Sequence, residues 1–133
     1  MLIIKTQQQT GTPEYMNISY INKEIYRLFD VKPDDDLCAA PKIVTEYKPK
    51  DLKEFVQKIE IRMFWAWDNF TLYILNKVYE DGIAPKGGYV TPSQLLTTVK
   101  NLTQNTPLNP ALNHDLSKLF AWFSSQNYLL RAS

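Results

Sequence analysis

The sequence has little of several features that mark familiar classes of protein. It contains one cysteine, Cys38, so no disulfide can form within the chain and a disulfide-stapled secreted domain is excluded. No stretch approaches the roughly 20 apolar residues of a membrane span. The apolar run that follows Met1 is too short for a signal peptide. These absences predict a cytoplasmic, intracellular protein without a membrane partner.

Residues that carry catalysis or bind metals are also scarce. The single histidine is His114, and with Cys38 it cannot complete a tetrahedral metal site. No Gly-x-Ser-x-Gly motif supplies an activated nucleophile. Residues 85–88, Pro-Lys-Gly-Gly, lack the Gly-Lys-Ser/Thr order of a phosphate loop and predict a turn. The sequence therefore predicts a protein that is not an enzyme and that has no metal and no cofactor.

Charge is nearly balanced over the whole chain but is uneven along it. Fifteen Lys and Arg residues against fourteen Asp and Glu residues give a net charge of +1, whereas strong nucleic-acid binders usually carry a basic domain. Residues 83–133 have Asp115 as their single acid. Their cations are Lys86, Lys100, Lys118 and Arg131. The excess of positive charge in this last segment weakly favours an anionic partner.

The composition is that of one compact domain. A chain of 133 residues, 44% hydrophobic and 13% aromatic, can bury about two thirds of its unfolded surface and is not a disordered chain. We predict a single domain over residues 1–133, of the α+β class and mostly helical. Residues 1–50 form a region of strands and a short helix, residues 51–82 a long central helix, and residues 83–133 the remaining helices.

The amino-terminal region is predicted to contain short strands. Residues 2–5 and 16–21 are rich in β-prone residues, which indicates two strands or an edge hairpin, and residues 42–47 suit another strand. Asn22 is placed to cap a short helix. That helix should end at Lys32-Pro33, because proline disfavours the helical conformation in the residue before it.

The central helix is predicted to run from Asp51 to about Asp81. Its apolar residues recur at intervals of three and four, the spacing of one helical face: Leu52, Val56, Ile59, Met63, Trp67, Phe70, Ile74 and Val78. Phe64, Trp65 and Trp67 point in widely separated directions around such a helix. Either the fold buries this helix on nearly all sides, or the aromatic surface contacts a partner, in a homodimer or in a complex.

Local signals are strongest in the carboxyl half. Thr91-Pro92-Ser93-Gln94 predicts a capping box at the start of a helix whose buried face is Leu95, Leu96, Val99 and Leu102. A last helix around residues 116–125 is capped by Asn109 or Asn113. Its apolar positions are Leu112, Leu116, Leu119, Phe120 and Phe123. Asn127 suits the left-handed residue that closes a helix, and residues 128–130 can follow as a strand.

The order of these elements, over about residues 67–131, resembles a winged-helix or helix-turn-helix unit. The likeness is carried by the helix, turn and short apolar strand of residues 116–131. Two features depart from the family. The connection from Thr103 to Asn113 is longer than the family's tight turn, and a second wing strand is missing unless the amino-terminal segment supplies it. The resemblance implies a regulatory, DNA-binding function.

On this resemblance the last helix would present one face to nucleic acid. The exposed positions would be His114, Asp115, Ser117, Lys118, Ala121, Trp122 and Ser125. One lysine opposed by Asp115 is too little for extensive base reading. We therefore expect contacts to phosphates, from Lys86, Lys100, Lys118 and Arg131, with His114 beside them.

The alternative is a protein-interaction domain, such as an adaptor or an inhibitor of a larger protein machine. It would use an aromatic helical surface that comprises Phe64, Trp65, Trp67 and Trp122. The order of the elements favours nucleic acid as the partner, whereas the near-neutral charge favours a protein.

Overall fold

The fold is described by a computed structural model that covers residues 2–6, 18–30, 66–105 and 110–133. The elements, in chain order, are β1 (Leu2–Thr6), α1 (Ile18–Leu28), α2 (Ala66–Glu80), α3 (Pro92–Asn105), α4 (Pro110–Ser125) and β2 (Tyr128–Ala132). This confirms the α+β, mostly helical class. None of the helices in these ranges has the length and apolar composition needed to span a bilayer.

The two strands join the ends of the described chain in an antiparallel ribbon. Ile4 of β1 lies opposite Leu130 of β2, and both side chains are buried. On the other side of β2, Val90 exchanges two backbone hydrogen bonds with Leu130, with N–O distances of 2.7 and 3.0 Å. The strand after the last helix thus has a partner, and the amino-terminal segment supplies it. We call β1 and β2 together the β-ribbon.

The predicted strand over residues 16–21 is wrong, because α1 already begins at Ile18. Ile21, Ile25 and Phe29 are buried at intervals of four, so helical periodicity extends back through the β-prone residues and their packing overrides propensity. Asn22 consequently lies inside the helix and does not cap it. The helix ends at Leu28, before the predicted Lys32-Pro33, which lies outside the described residues.

Helix α2 is the central element of the fold. Its buried side chains are Trp67, Phe70, Thr71, Ile74, Leu75 and Val78. Only a narrow stripe of Asn69, Asn76 and Glu80 is exposed between residues 67 and 80. The described part thus fits the first of the two predicted alternatives at Trp67, whereas Phe64 and Trp65 lie outside the described residues and the choice between the alternatives stays a prediction. Residues 51–65, where the helix was predicted to begin, and the predicted strand at 42–47 lie outside the described residues.

The capping box of α3 is confirmed in both directions. The Gln94 amide donates to Thr91 Oγ1 at 3.2 Å, and the Thr91 amide donates to Gln94 Oε1 at 2.9 Å, so two amides of the helix start are paired. Leu95 and Val99 are buried, and Leu96 and Leu102 are half-buried against the core.

Helix α4 also matches its predicted face. Leu112, Leu116, Leu119, Phe120 and Phe123 are all buried. The helix begins at Pro110, so Asn113 lies within it, and the other predicted cap, Asn109, is outside the described residues. Asn127 has a φ of 58°, the left-handed conformation that ends the helix and turns the chain into β2.

Candidate nucleic-acid interface

Helices α3 and α4 pack against each other and bring two of the predicted cations onto neighbouring elements. Lys100 on α3 and Lys118 on α4 are both exposed. A groove of about 410 Å³ runs between the helices, lined by Leu96, Val99, Lys100, Thr103, Gln104, Asn113 and Ser117. Lys100 therefore borders the groove directly, and Lys118 follows the lining residue Ser117. Each helix of this pair therefore carries an exposed positive charge.

Five of the seven positions predicted to be exposed on α4 are open to solvent, whereas Asp115 is buried and Trp122 is half-buried. His114, Ser117, Lys118, Ala121 and Ser125 are exposed and lie along one side of the helix. Apart from His114 and Lys118, these side chains are small. A face of this kind allows another surface to approach the helix backbone closely, but it offers few groups that read base edges.

Asp115 does not belong to this face, and its predicted solvated position is wrong. Its side chain is 8% exposed. The physical reason is spacing: Asp115 follows Leu112 by three residues and precedes Leu119 by four, so it shares the buried side of α4. The acid that was expected to oppose Lys118 is therefore turned inward. The exposed face of α4 therefore carries Lys118 and no acidic side chain.

The two described residues of the predicted aromatic interface lie in or against the core. Trp67 is 1% exposed, and its indole Nε1 donates to Asn22 Oδ1 at 2.9 Å, so it offers no surface to a partner in this fold. Trp122 is half-buried, with its ring centre 5.4 Å from that of Phe123 and 5.7 Å from that of Tyr128. Trp122 covers the edge of the core. Phe64 and Trp65 lie outside the described residues.

Arg131 lies on the half-exposed outer side of the β-ribbon. Its guanidinium carbon is 5.2 Å from the ring centre of Tyr89, and Lys5 Nζ is 4.1 Å from the same centre. Sequence reasoning missed Lys5 as a companion of Arg131, because no local pattern reveals that the first strand pairs with the last. The alternation of β1, with Leu2 and Ile4 buried, does indicate that Lys5 points outward.

Lys86 stands apart from these groups, at the corner of a turn. The Gly88 amide donates to the Pro85 carbonyl at 2.8 Å, and Gly87 has a φ of +80°, which glycine adopts without steric cost. The predicted turn is confirmed, and Lys86 is exposed within it. The five predicted nucleic-acid contacts thus fall on the helix pair (Lys100, His114, Lys118), on the β-ribbon (Arg131) and on this turn.

Within the described ranges, none of the predicted cations forms an ion pair with an acidic side chain. The ion pairs found there are Arg27–Glu24 at 3.0 Å and Lys77–Glu80 at 3.1 Å, in α1 and α2. Lys118 instead approaches an aromatic ring, with Nζ 5.2 Å from the centre of Phe29. Among the described residues, no acidic side chain therefore competes with an external anion for the positive groups of α3, α4 and the β-ribbon.

In the part of the chain that the structure describes, no group of three or more His, Cys, Asp or Glu side chains could hold a metal ion.

Comparison of the chain with protein-family models, with curated proteins and with solved structures finds no match.

Proposed function

We propose that the protein is a cytoplasmic, non-enzymatic regulatory module that binds nucleic acid through α3, α4 and the β-ribbon. The observation that carries the proposal is the distribution of charge. The four cations after residue 82 have no acidic partner among the described residues, and Asp115, the single acid of that segment, is buried. A surface of this kind favours a polyanion.

The order of the elements supports a winged-helix interpretation. Helix α2 is followed by the Val90 bridge, then by α3, α4 and β2, and β1 takes the place of a further wing strand. In such units the second helix of the helix-turn-helix lies in the major groove. In this chain that helix would be α4, whose outer face carries His114 and Lys118.

Binding of this kind should depend on phosphates more than on bases. The outer face of α4 carries Ser117, Ala121 and Ser125 beside its single lysine, and none of these makes the bidentate contacts that distinguish base pairs. Affinity should accordingly vary little with sequence and fall steeply with salt, because each cation that neutralises a phosphate releases a counterion.

The proposal is tested by titrating random-sequence duplex DNA at several salt concentrations. We expect binding at low salt, and we expect Lys100→Gln with Lys118→Gln to lower the slope of log affinity against log salt by about two. The matched control is Lys23→Gln with Lys77→Gln, which removes the same charge from α1 and α2. Equal slopes in the two double variants, or no binding at low salt, would contradict the proposal.

The protein-interaction alternative has less support from the described surface, because Trp67 is in the core and Trp122 packs on Tyr128. It becomes the better explanation if duplex DNA is not bound at low salt. The predicted homodimer is tested separately by sedimentation equilibrium of the full chain.

A further inference from the structure

Three segments that are distant in the sequence converge on one tyrosine ring. Lys5 lies opposite Leu129 in the β-ribbon and Arg131 lies opposite Ile3, so the two cations are diagonal neighbours on the same face. Both approach Tyr89, which comes directly before the bridge residue Val90. We call Lys5, Tyr89 and Arg131 the Tyr89 cluster.

The backbone on both sides of the Tyr89 cluster is fixed by a second tyrosine. The hydroxyl of Tyr79, on α2, donates to the carbonyl of Gly88 at 2.8 Å and accepts from the amide of Ala132 at 3.2 Å. Gly88 precedes Tyr89, and Ala132 follows Arg131. One side chain of the central helix therefore holds two of the three contributing segments in place, so the cations are positioned before any ligand arrives.

The charge of the Tyr89 cluster is not neutralised within the described residues. Neither Lys5 nor Arg131 has an ion pair there, and two like charges beside one neutral ring repel each other. The Nε of Arg131 and the hydroxyl oxygen of Tyr89 are buried and have no hydrogen-bond partner in the part of the chain that the structure describes. A tyrosine face attracts cations much less than a carboxylate does, so the described residues leave the positive charge at this side of the β-ribbon without an anion.

From this arrangement we infer that the Tyr89 cluster is a phosphate-binding site, built jointly by the first and the last strand. With Arg131 Nε inside, the terminal guanidinium nitrogens and the Lys5 ammonium are the donors for a phosphate. Arginine matches the oxygens of a phosphate with parallel N–H groups, and lysine adds a second point charge. The identity of the occupant rests on the proposed function: the phosphate is a phosphodiester of a nucleic-acid strand.

The site includes Lys5, which lies outside the carboxyl half of the chain. Lys5 belongs to β1, which reaches β2 only through strand pairing. The β-ribbon therefore adds a second point of phosphate contact beside the helix pair α3 and α4. Loss of either cation should weaken binding to all sequences equally, because a phosphate carries no base identity.

The first experiment compares salt slopes of duplex binding for Lys5→Gln, Arg131→Gln, the double variant and Arg131→Lys. We expect each neutralisation to lower the slope by about one and the double variant to lower it by about two. Arg131→Lys keeps the charge and should restore the slope, while the affinity stays below that of the original protein because the parallel N–H groups are lost. Lys23→Gln, on α1, is the control for a lysine lost elsewhere.

The second experiment uses inorganic phosphate alone, and its main titration uses the unaltered protein, so that this titration does not depend on how the variants fold. Phosphate is titrated against chloride at constant ionic strength while the side-chain N–H signal of Arg131 is followed by NMR. We expect a saturable shift with phosphate and none with chloride. The same titration of Lys5→Gln should require a higher phosphate concentration for half of the shift.

The two experiments separate this site from the proposed function. Unchanged slopes in the Lys5 and Arg131 variants, with lowered slopes in the Lys100 and Lys118 variants, would overturn the site and leave the function standing. A phosphate-specific shift without duplex binding at low salt would support the site and remove the nucleic-acid function. A shift that is the same with phosphate and chloride would overturn the site.

Discussion

The charged and polar side chains of helices α1 and α2 differ in their partners from those of α3, α4 and the β-ribbon. In α1 and α2, Arg27 and Lys77 are each paired with a glutamate of the same helix, and the buried indole N–H of Trp67 is satisfied by Asn22. In the other region Lys100 and Lys118 are exposed and have no acidic partner within the described ranges, and the acid of that segment is buried.

The contrast separates interactions that stabilise the fold from charges that are available to a ligand. Exposed ion pairs contribute little to stability, in the range of about 0–1 kcal/mol, but each one cancels a positive charge at the surface. Where the pairs are missing, the positive potential remains. We therefore expect substitutions of the buried groups of α1 and α2, such as Trp67 and Asn22, to change stability and substitutions of the cations in α3, α4 and the β-ribbon to change binding.

The largest effect on stability should come from Trp67→Ala. The side chain is fully buried and packs edge-on against Phe123, with ring centres 6.1 Å apart, so its removal leaves a large cavity. We expect a loss of about 3–5 kcal/mol in the free energy of unfolding, measured by urea denaturation. Trp122→Ala is the control, since that ring is half-buried and should cost less. An equal or smaller loss at Trp67 would contradict its place at the centre of the core.

A second substitution tests the buried hydrogen bond that joins α1 to α2. Asn22→Ala leaves the indole N–H of Trp67 buried without its acceptor, which should cost about 1–3 kcal/mol. Lys23→Ala, at the next position and exposed, should change little. If the bond is the cause, Trp67→Phe combined with Asn22→Leu should cost less than the two single changes added together. Additive losses would indicate that Asn22 acts through packing alone.

A smaller effect on stability is expected from the capping box at the start of α3. Thr91→Ala removes the acceptor for the Gln94 amide and should lower the free energy of unfolding by about 1 kcal/mol, with duplex affinity unchanged. Ser93→Ala, at an exposed position of the same turn, should be near neutral. Loss of duplex binding at unchanged stability would instead place Thr91 in the binding surface.

Thr91 also illustrates which parts of the fold can be predicted from the sequence. Capping and helix closure depend on a few neighbouring residues, so the Thr91–Gln94 box and the left-handed Asn127 could be inferred directly. The buried face of α4 follows from spacing in the same way. The side chain of Asp115 obeys that spacing as well, and its burial was missed because a charged residue was assumed to be solvated.

Long-range pairing could not be inferred in this way. A β-prone segment can pair with any other segment, and only the assembled core makes β2 the partner of β1. Lys5 was missed for this reason, and with it the group around Tyr89. Asn22 shows the converse error, because a residue type typical of helix caps lies inside a helix and bonds to a distant tryptophan. At Asn22 local propensity gave way to a tertiary contact, whereas at Lys5 the strand was predicted and its partner was not.

The smallest of the four stability effects should come from Asp68, the exception among the paired groups of α1 and α2. Burial raises the pKa of this carboxyl above its ordinary value of 3.8, and its Oδ1 has no hydrogen-bond partner among the described residues. The folded state therefore holds the proton more tightly than the unfolded state does. Stability from Asp68 should be fully present below the unfolded value of 3.8 and should be lost as the pH rises through the folded pKa.

Asp68→Asn should consequently be more stable than the original protein at neutral pH, with the difference disappearing as the pH falls below 3.8. Asp68 is only half-buried, so we expect a modest gain. Urea denaturation at a series of pH values measures the gap, and Asp81→Asn, at an exposed position just after α2, is the control for the loss of one negative charge. A loss of stability in Asp68→Asn at neutral pH would mean that the ionised carboxylate is stabilised in the fold, and the unpaired oxygen would then not be a cost to α2.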